Sequence, residues 1–380
     1  MASDSSTMRK TGMHLLSANY RALRLLAVGL LVIQSAFSQS IKRHPTVTAA
    51  RARRALYLDY ARKSIATLNQ TWLAHTPTSA TWAGINAWQR FAIADSLMEY
   101  TKLADDNGLL PDIELAVANK EGLDGNDDDL WAVISSLNLY ELNGSPRLLQ
   151  DAQRQYRQLT DNYWDNTCGG GIWWDHARTY KNAITNELLL YAATLLYRST
   201  GDQTYYTWAF KEWGWFSRSD LINDRGLIND GLDKHCSNNG QKTYTYNQGV
   251  ILGALTNLYL IDKDYSHIAL TIRIAKAAIS DLSDPDGILV EPAEDLAQDG
   301  QIFKGIFVYH LGHLFPYIES ASDRKIIAAF MTHNANVAWR LRKSPENEIN
   351  AYWNNGHFLY GAAAQSAAVA LFDAAGIVTR

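Results

Sequence analysis

Apolar residues recur along the chain at helical spacing and predict a protein built from α-helices. In the segment 179–199 the apolar positions follow steps of four, three and four residues, which places them on one face of a helix. They are Ile184, Leu188, Tyr191 and Leu195. Gly201 comes next, and glycine is common just beyond a helix end. This segment therefore predicts a helix that ends just before Gly201.

The same spacing predicts helices over most of the remaining chain, one of them ending near Asp262. The others cover 46–69, 83–104, 129–142, 146–160, 203–218, 264–281, 301–319, 323–342 and 358–374. Segments rich in Gly, Asn and Asp separate them, and the alternating β-branched pattern of strands is scarce. The pattern indicates an all-α protein.

Three of these helices end in a similar phrase, at intervals of about 60 residues. The phrases are Tyr140–Gly144, Tyr197–Asp202 and Tyr259–Asp264. Each joins an apolar helix to a following helix, so the repeated unit is a helical hairpin. Residues 39–380 hold six hairpins of roughly 57 residues, which favours a single domain folded as an (α/α)6 barrel of helical hairpins. An open helical solenoid fits the same count nearly as well, and length does not separate the two.

The segment 1–38 has the pattern of an export signal. Two arginines precede the uncharged stretch 25–37, which is too short to span a bilayer comfortably, and Ala36 and Ser38 offer small residues for cleavage. We therefore expect a secreted protein, either extracellular or in a cell wall. A buried or anchoring helix is the alternative, and the length of the segment leaves the start of translation open.

The two cysteines, Cys168 and Cys236, fit an oxidising compartment. One disulfide between them is the first possibility, and two free buried thiols are the second. The chain ends without a long apolar tail, so we expect no lipid anchor there and no stable membrane anchor. A monomer is the default expectation.

Charge and composition narrow the class of ligand. The net charge of -4 and the pI near 6.2 leave no basic field for nucleic acid or anionic lipid, and the nucleotide-binding motifs are absent from the sequence. The 12 Trp and 20 Tyr favour carbohydrate, because the apolar faces of sugar rings lie on aromatic rings. Trp173 and Trp174 follow a run of glycines in a predicted loop and are candidate sugar-binding residues, while Trp72 and Trp208 are expected in the core.

The most distinctive chemical feature is the acidic run Asp124–Asp129, directly before an apolar helix. One interpretation is a helix start, where free N–H groups favour aspartate. A calcium loop is a second, but Asp129 stands where that loop needs glycine and Ser135 where it needs glutamate. The third is a glycosidase pair, in which one carboxylate acts as nucleophile and a second, protonated one as acid, about 5 Å apart.

Several phrases, in order, resemble glycoside hydrolase family 76, the endo-α-1,6-mannanases. The first is Asp127-Asp128-x-x-Trp131 with Tyr140–Gly144 downstream. The others are Cys168–Trp174, Tyr180–Glu187, Gly226–Gly231, Tyr246–Gly249 and Gly300–Gly305. The resemblance spans roughly residues 50 to 370, nearly the whole predicted mature chain, and the ordered set is far more specific than any one phrase.

The resemblance implies an (α/α)6 barrel, retaining hydrolysis of α-1,6-mannosidic bonds, and no metal or organic cofactor. It implies that Asp127 is the nucleophile and Asp128 the general acid/base, counted back from Trp131. A register shifted by one residue would make Asp128 and Asp129 the pair.

Further residues are candidates for substrate binding. With Trp131, they are Trp173, Trp174, Lys181, Asn182, Asn186, Asp230, Tyr246, Asn247 and Gln248. Tyr246 is a plausible stacking wall, and Asp230 either lines the cleft or caps its turn. The amides and Lys181 either hydrogen-bond sugar hydroxyls or serve as caps and buried helix-pairing residues. His310 and His313 lack a second ligand pair, so we expect hydrogen-bonded histidines and no metal site.

Three functions fit these observations. The first is an endo-acting mannanase that cleaves α-1,6-mannan. The second is a wall transglycosidase that uses the same nucleophile on mannoprotein glycans. The third is a non-catalytic mannan-binding protein. The Asp127-Asp128 pair favours the enzymes, and the expected lack of an anchor favours the hydrolase. Tolerance of branched mannan stays open.

Overall fold

The computed structural model describes residues 45–293, 296, 298–354 and 356–379. The chain divides into two units, residues 1–52 and 53–380, and the second carries the fold described below. The predicted export signal lies outside the described residues. Within the described ranges, no helix is both long enough and apolar enough to cross a membrane.

Twelve α-helices account for most of the described part of the chain. They are α1 (Pro45–Trp72), α2 (Gln89–Ala104), α3 (Leu110–Ala118), α4 (Asn126–Asn143), α5 (Pro146–Tyr163), α6 (Ala183–Thr200), α7 (Gln203–Phe216), α8 (Thr245–Asp262), α9 (Tyr265–Asp281), α10 (Gly300–Leu314), α11 (Ala321–Arg340) and α12 (Ala362–Val378). Strands β1 (Leu73–Thr76) and β2 (Ser79–Trp82) form an antiparallel hairpin after α1, with Leu73 opposite Trp82. Short 3₁₀ turns cover Asn107–Leu109, Thr167–Gly169 and Phe315–Tyr317.

The six even-numbered helices form a closed ring. Helix α2 packs on α4, α4 on α6, α6 on α8, α8 on α10, α10 on α12, and α12 returns to α2. Helices α3, α5, α7, α9 and α11 each pack outside against a ring helix next to them in sequence. The all-α prediction is confirmed, and the closure decides for an (α/α)6 barrel over an open solenoid.

Ring and outer helices differ in how much of their surface is buried. Every residue of the ring helix α12 is buried, and its sequence is apolar except for Gln365, Ser366 and Asp373. The outer helix α5 buries only four residues, Ala152, Tyr156, Leu159 and Thr160, along one stripe. On the outer side of the ring, Tyr60 of α1 stacks on Trp339 of α11, with ring centroids 4.1 Å apart.

The repeated phrases at the helix ends have a common structure. The backbone N–H groups of Gly144, Gly201 and Lys263 donate to the carbonyls of Tyr140, Tyr197 and Tyr259, respectively. The three residues that donate adopt a left-handed conformation, which ends α4, α6 and α8. The predicted hairpin period is therefore confirmed by three equivalent helix ends.

Side-chain amides fix the long loops that enter the ring helices. The fourth residue of α6, α8 and α12 is Asn186, Gln248 and Gln365, respectively. Their side-chain oxygens accept from the backbone N–H groups of Ile172, Ile228 and Ile349 at 2.8 Å in each case. Because each amide also donates to backbone carbonyls, the loops are held against the barrel at the end where the ring helices begin.

Some local predictions were incomplete. Helix α3 and the β1–β2 hairpin were not predicted, because each is short and carries little periodicity. The predicted helix 301–319 ends at Leu314, where Pro316 opens a 3₁₀ turn. Cys168 and Cys236 form a disulfide that joins the loop after α5 to the loop after α7, so the free-thiol alternative is excluded.

Candidate active site

The three consecutive aspartates at the start of α4 point in different directions, because successive residues of a helix turn by about 100°. Asp127 lines a cleft of about 240 Å³ at the end of the barrel where the ring helices begin. Asp128 accepts a hydrogen bond from the backbone N–H of Asp124 at 3.0 Å. Asp129 accepts from Gln155 Nε2 at 2.9 Å and lines a separate cavity between α3, α4 and α5. The fold thus separates Asp129 from the cleft.

Gly125 sets the conformation from which Asp127 enters the cleft. Its φ of 146° is one that side chains disfavour. A Cβ at this position would lie 2.8 Å from Asp127 Oδ1. The next residue, Asn126, ties the helix start to the aromatic loop: its backbone N–H donates to the carbonyl of Trp174 at 2.9 Å, and its Nδ2 to the carbonyl of Trp173 at 2.8 Å.

Both aspartates of the predicted pair hold their protons more tightly than usual. Burial raises the pKa of Asp127 to about 7, and the adjacent charge of Asp128 acts in the same direction. Burial raises the pKa of Asp128 to about 6, opposed by the N–H of Asp124 and reinforced by the charge of Asp299. Near neutral pH the site therefore carries one proton more readily than two exposed aspartates would.

Aromatic side chains make up most of the cleft wall. The six are Trp88, Trp131, Trp174, Tyr180, Tyr246 and Phe303. Trp131 stacks on Trp88 with ring centroids 5.5 Å apart, and Tyr246 stacks on Phe303 at 4.0 Å. Trp174 is 40% exposed, so its ring remains open to a ligand. Such a surface suits the apolar faces of sugar rings.

Three polar residues line the same cleft besides Asp127. Asp230 accepts from the Tyr180 hydroxyl at 2.5 Å, and burial raises its pKa. Asn182 caps α6 with its side-chain oxygen, which accepts from the N–H of Thr185. Asp299 accepts from Asn86 Nδ2 at 2.6 Å and from Trp88 Nε1 at 2.9 Å. These groups give the cleft hydrogen-bonding capacity for hydroxyls beside its aromatic walls.

Other predicted sugar ligands have a structural role instead. Lys181 is 2% exposed, and its ammonium is surrounded by the carboxylate of Asp165 at 2.9 Å and by four backbone carbonyls. Asn186 and Gln248 are fully buried and are the loop clamps described above. The donors of these side chains already bind groups within the protein, which favours the structural alternative for all three.

Trp173 and Asn247 also lie outside the cleft lining. The indole N–H of Trp173 donates to Asp165 Oδ2 at 2.9 Å, and the Lys181 ammonium lies 4.7 Å from its ring centre. Asn247 is fully buried, and neither its Oδ1 nor its Nδ2 has a hydrogen-bond partner among the described residues. Of the predicted binding residues, the cleft brings together Trp131, Trp174, Asn182, Asp230 and Tyr246.

Four residues of the cleft were missed by sequence reasoning. Tyr180 and Phe303 lie inside the phrases that carry the family resemblance, and Asp299 directly precedes one of them, so these positions could have been found. Trp88 lies in no such phrase. It joins the cleft because its ring stacks on Trp131 across the space between α2 and α4.

The two histidines considered for metal binding are engaged in other contacts. His313 Nε2 lies 3.0 Å from Glu99 Oε2, and His310 is buried with its ring edge against Tyr191. Among the described residues, the carboxylates and imidazole that lie close enough together to share a metal ion are those of Asp262, Asp264 and His267. That group lies where α8 ends and α9 begins, at the opposite end of α8 from the cleft.

Comparison with known proteins identifies relatives over most of the chain. A family model described as Glycosyl hydrolase family 76 matches residues 49–379. Mannan endo-1,6-alpha-mannosidase DCW1 of Candida albicans is 27% identical over 258 residues, which are 59% of this chain and 57% of that protein. DCW1 of Saccharomyces cerevisiae is 30% identical over 228 residues, which are 55% of this chain and 49% of that protein. The chain thus spans less than two thirds of the length of these relatives.

A solved structure shares the fold. The GH76A alpha-1,6-mannanase from Salegentibacter sp. HEL1_6 has a TM-score of 0.75 and 21% identity, over 85% of this chain and 99% of that one. An inactive variant of that mannanase, with two consecutive aspartates replaced, has been solved in complex with alpha-1,6-mannotriose.

Proposed function

The chain belongs to glycosyl hydrolase family 76, and from this membership we propose that it is a retaining endo-α-1,6-mannanase that cleaves α-1,6-mannosidic bonds. The observation that carries the proposal is the position of Asp127 inside an aromatic cleft, next to Asp128 and with a raised pKa. Relatives named as mannan endo-1,6-alpha-mannosidases support the choice of substrate.

In the proposed mechanism Asp127 attacks the anomeric carbon and forms a glycosyl-enzyme. Asp128 donates its proton to the leaving oxygen and then takes a proton from water as the intermediate is hydrolysed. The raised pKa values of the pair support a shared proton, because one carboxyl retains it near neutral pH while the other is ionised. The higher of the two pKa values belongs to Asp127, so the mechanism requires this proton to lie on Asp128 once the sugar is bound. The inactivity of a family member with two consecutive aspartates replaced supports a paired role.

The cleft residues suggest how the sugar is held. Trp174 offers an open ring for stacking, and the Trp131–Trp88 and Tyr246–Phe303 pairs form apolar walls. Asp230 and Asp299 offer carboxylate acceptors, and Asn182 offers the donors of its side-chain amide, to the hydroxyls at the edges of the ring. Pockets that discriminate sugars by hydroxyl position combine these two kinds of contact.

We also propose that the protein is exported, acting outside the cell or in a cell wall. The disulfide between Cys168 and Cys236 supports this proposal, because such bonds persist in oxidising compartments. N-terminal sequencing of protein recovered from the medium should find a start near residue 39. Retention of the full N-terminus inside the cell would contradict export.

The function is tested with purified protein and linear α-1,6-mannan. Short oligosaccharides should appear, and NMR of the first products should show the α-anomer, since two displacements retain the configuration. Binding of mannan without any cleavage would contradict an enzymatic role. Products longer than the supplied substrate would instead identify a transglycosidase that uses the same two aspartates on mannoprotein glycans.

A further inference from the structure

A groove much larger than the cleft runs along the outside of α4. Its volume is about 950 Å³, against about 240 Å³ for the cleft. On one side of it lies the outer helix α3 with nine residues, and on the other side lies α5 with 18. We call this space the outer groove. It is lined by α3, α4, α5, Lys120 and His176.

One stripe of α4 forms the floor of the outer groove along the length of the helix. Asp129, Ser136 and Asn143 all line the groove, and they follow one another at steps of seven residues. That spacing keeps them on one face, so the groove extends along α4 from Asp129 to Asn143, about 21 Å. Asp129 lies at the end of the groove nearest the start of α4 and directly follows the proposed catalytic pair in sequence.

The acidic and basic side chains that line the outer groove are equal in number: they are Glu114, Asp129 and Asp151, and Lys120, Arg147 and Arg154. On α5, Arg154 lies 2.5 Å from Asp151, and Arg147 lies 3.7 Å from the same carboxylate. The ammonium of Lys120 donates to the carbonyl of Ala132 and to Ser136 Oγ, both on α4 at the base of the groove. Little net field remains for an anionic or cationic polymer.

The groups left for a ligand are amides and two stacked rings. Gln158 and Asn162 are exposed on the α5 wall, and Gln155 joins them half-buried. Asn162 Nδ2 donates to the carbonyl of Gln158 and Gln155 Nε2 to Asp129, so the amide of Gln158 and the side-chain oxygens of the other two remain for a ligand. Tyr163 and His176 stack with ring centroids 5.2 Å apart at the end nearest the cleft. His176 lies two residues from Trp174, which lines the cleft. Amide groups and flat rings suit a neutral polyhydroxyl chain.

We infer that the outer groove is a second carbohydrate site that holds a neutral segment of the mannan chain outside the catalytic cleft. The identity of the polysaccharide rests on the proposed function, whereas the site itself rests on the groove. Such a site adds contacts for a polymer that reaches both the cleft and the outer groove. A short oligosaccharide bound in the cleft does not reach the outer groove and gains no contact from it. One mannan chain would then bind the protein at two sites, the catalytic cleft and the outer groove.

The test uses two double variants of the full chain. Gln158→Ala with His176→Ala removes exposed side chains of the groove, and Arg157→Ala with Asp161→Ala is the control on the same stretch of α5, outside the groove lining. The groove variant should raise KM for long mannan about threefold to tenfold. Both variants should cleave α-1,6-mannotetraose as the unmodified protein does. Equal KM values for long mannan in both variants would overturn the inference.

A binding measurement separates the groove from catalysis. Each double variant is placed in an Asp127→Asn background, and its migration is followed in native gels that contain mannan. The groove substitutions should reduce the retardation by mannan, and the control substitutions should leave it unchanged. Equal retardation of both would overturn the site. A failure of the proposed function shows differently, as no cleavage of mannotetraose by the protein with both aspartates intact.

Discussion

The two sides of α4 differ in chemistry although they begin from the same acidic run. On the cleft side, Asp127 lies among aromatic rings, and its pKa is raised by burial. On the outer side, Asp129 accepts from Gln155 in a groove lined by amides and by equal numbers of acidic and basic side chains. The comparison shows that the surroundings of a carboxylate, and not its place in an acidic run, decide what it can do.

Replacing each aspartate in turn gives the largest expected effect. Asp127→Asn and Asp128→Asn should each lower kcat on mannotetraose about a hundredfold to ten-thousandfold, because each removes a group that the reaction requires. Asp129→Asn is the matched control and should keep kcat within about twofold. A large loss in Asp129→Asn with none in Asp127→Asn would move the catalytic pair to Asp128 and Asp129.

Gly125→Ala tests whether the backbone holds Asp127 in its position. The new Cβ would meet Asp127 Oδ1 at 2.8 Å, so the carboxylate must shift, and kcat should fall about tenfold to a hundredfold. Gly84→Ala is the control, because Gly84 has a φ of 78° and its new methyl group would meet no atom of a residue beyond its chain neighbours within 4 Å. Both variants should lose about 1–3 kcal/mol of stability from backbone strain. An equal loss of kcat in the two would argue against a specific effect on Asp127.

Substituting one exposed ring in the cleft and one in the outer groove tests whether the two sites contribute differently to binding of a short substrate. Trp174→Ala should raise KM for mannotetraose about fivefold to tenfold, because the open indole face in the cleft is lost. His176→Ala should leave KM for mannotetraose unchanged, since His176 lines the outer groove. Steady-state kinetics on the short substrate would measure both. The same KM for both variants would remove the distinction between cleft and groove.

The smallest expected effect is the pH dependence of kcat/KM, which the two aspartates on the cleft side control. With pKa values of about 7 for Asp127 and about 6 for Asp128, kcat/KM should be greatest between these two values and fall on both sides. Below the maximum both carboxyls become protonated and the nucleophile is lost, and above it the pair loses the proton that the acid must donate. An unchanged rate from pH 5 to pH 9 would contradict the paired roles.

The same pKa shift has a consequence for stability. Because the folded pKa of Asp127 is raised, the folded protein binds this proton more tightly than the unfolded chain does. That contribution is present below the unfolded value near 3.8 and is lost as the pH rises through about 7. Asp127→Asn should therefore stabilise the protein by about 1–3 kcal/mol at pH 8 and much less at pH 4, as measured by thermal unfolding.

The ring helices and their ends were predictable because their causes are local. Apolar spacing placed α6 and α8, and the phrases ending in Gly144, Gly201 and Lys263 marked three equivalent stops. The roles of polar residues were less predictable. Asn182 and Asn186 stand in one phrase, yet Asn182 reaches the cleft whereas Asn186 binds a loop. One helical turn separates them, and the elements that surround each position, which spacing does not record, place Asn182 at the cleft and Asn186 against the loop.

Spacing along one chain was enough to predict the all-α class, the hairpin period, the family and the acidic pair beside Trp131. The folded barrel was needed to show that the ring closes, that Asp127 and Asp129 lie on opposite sides of α4, and that Trp88 and Asp299 join the cleft. It also decided that the ammonium of Lys181 is enclosed by backbone carbonyls. The physical reason is that burial and hydrogen-bond partners come from residues distant in sequence, and spacing carries no record of them.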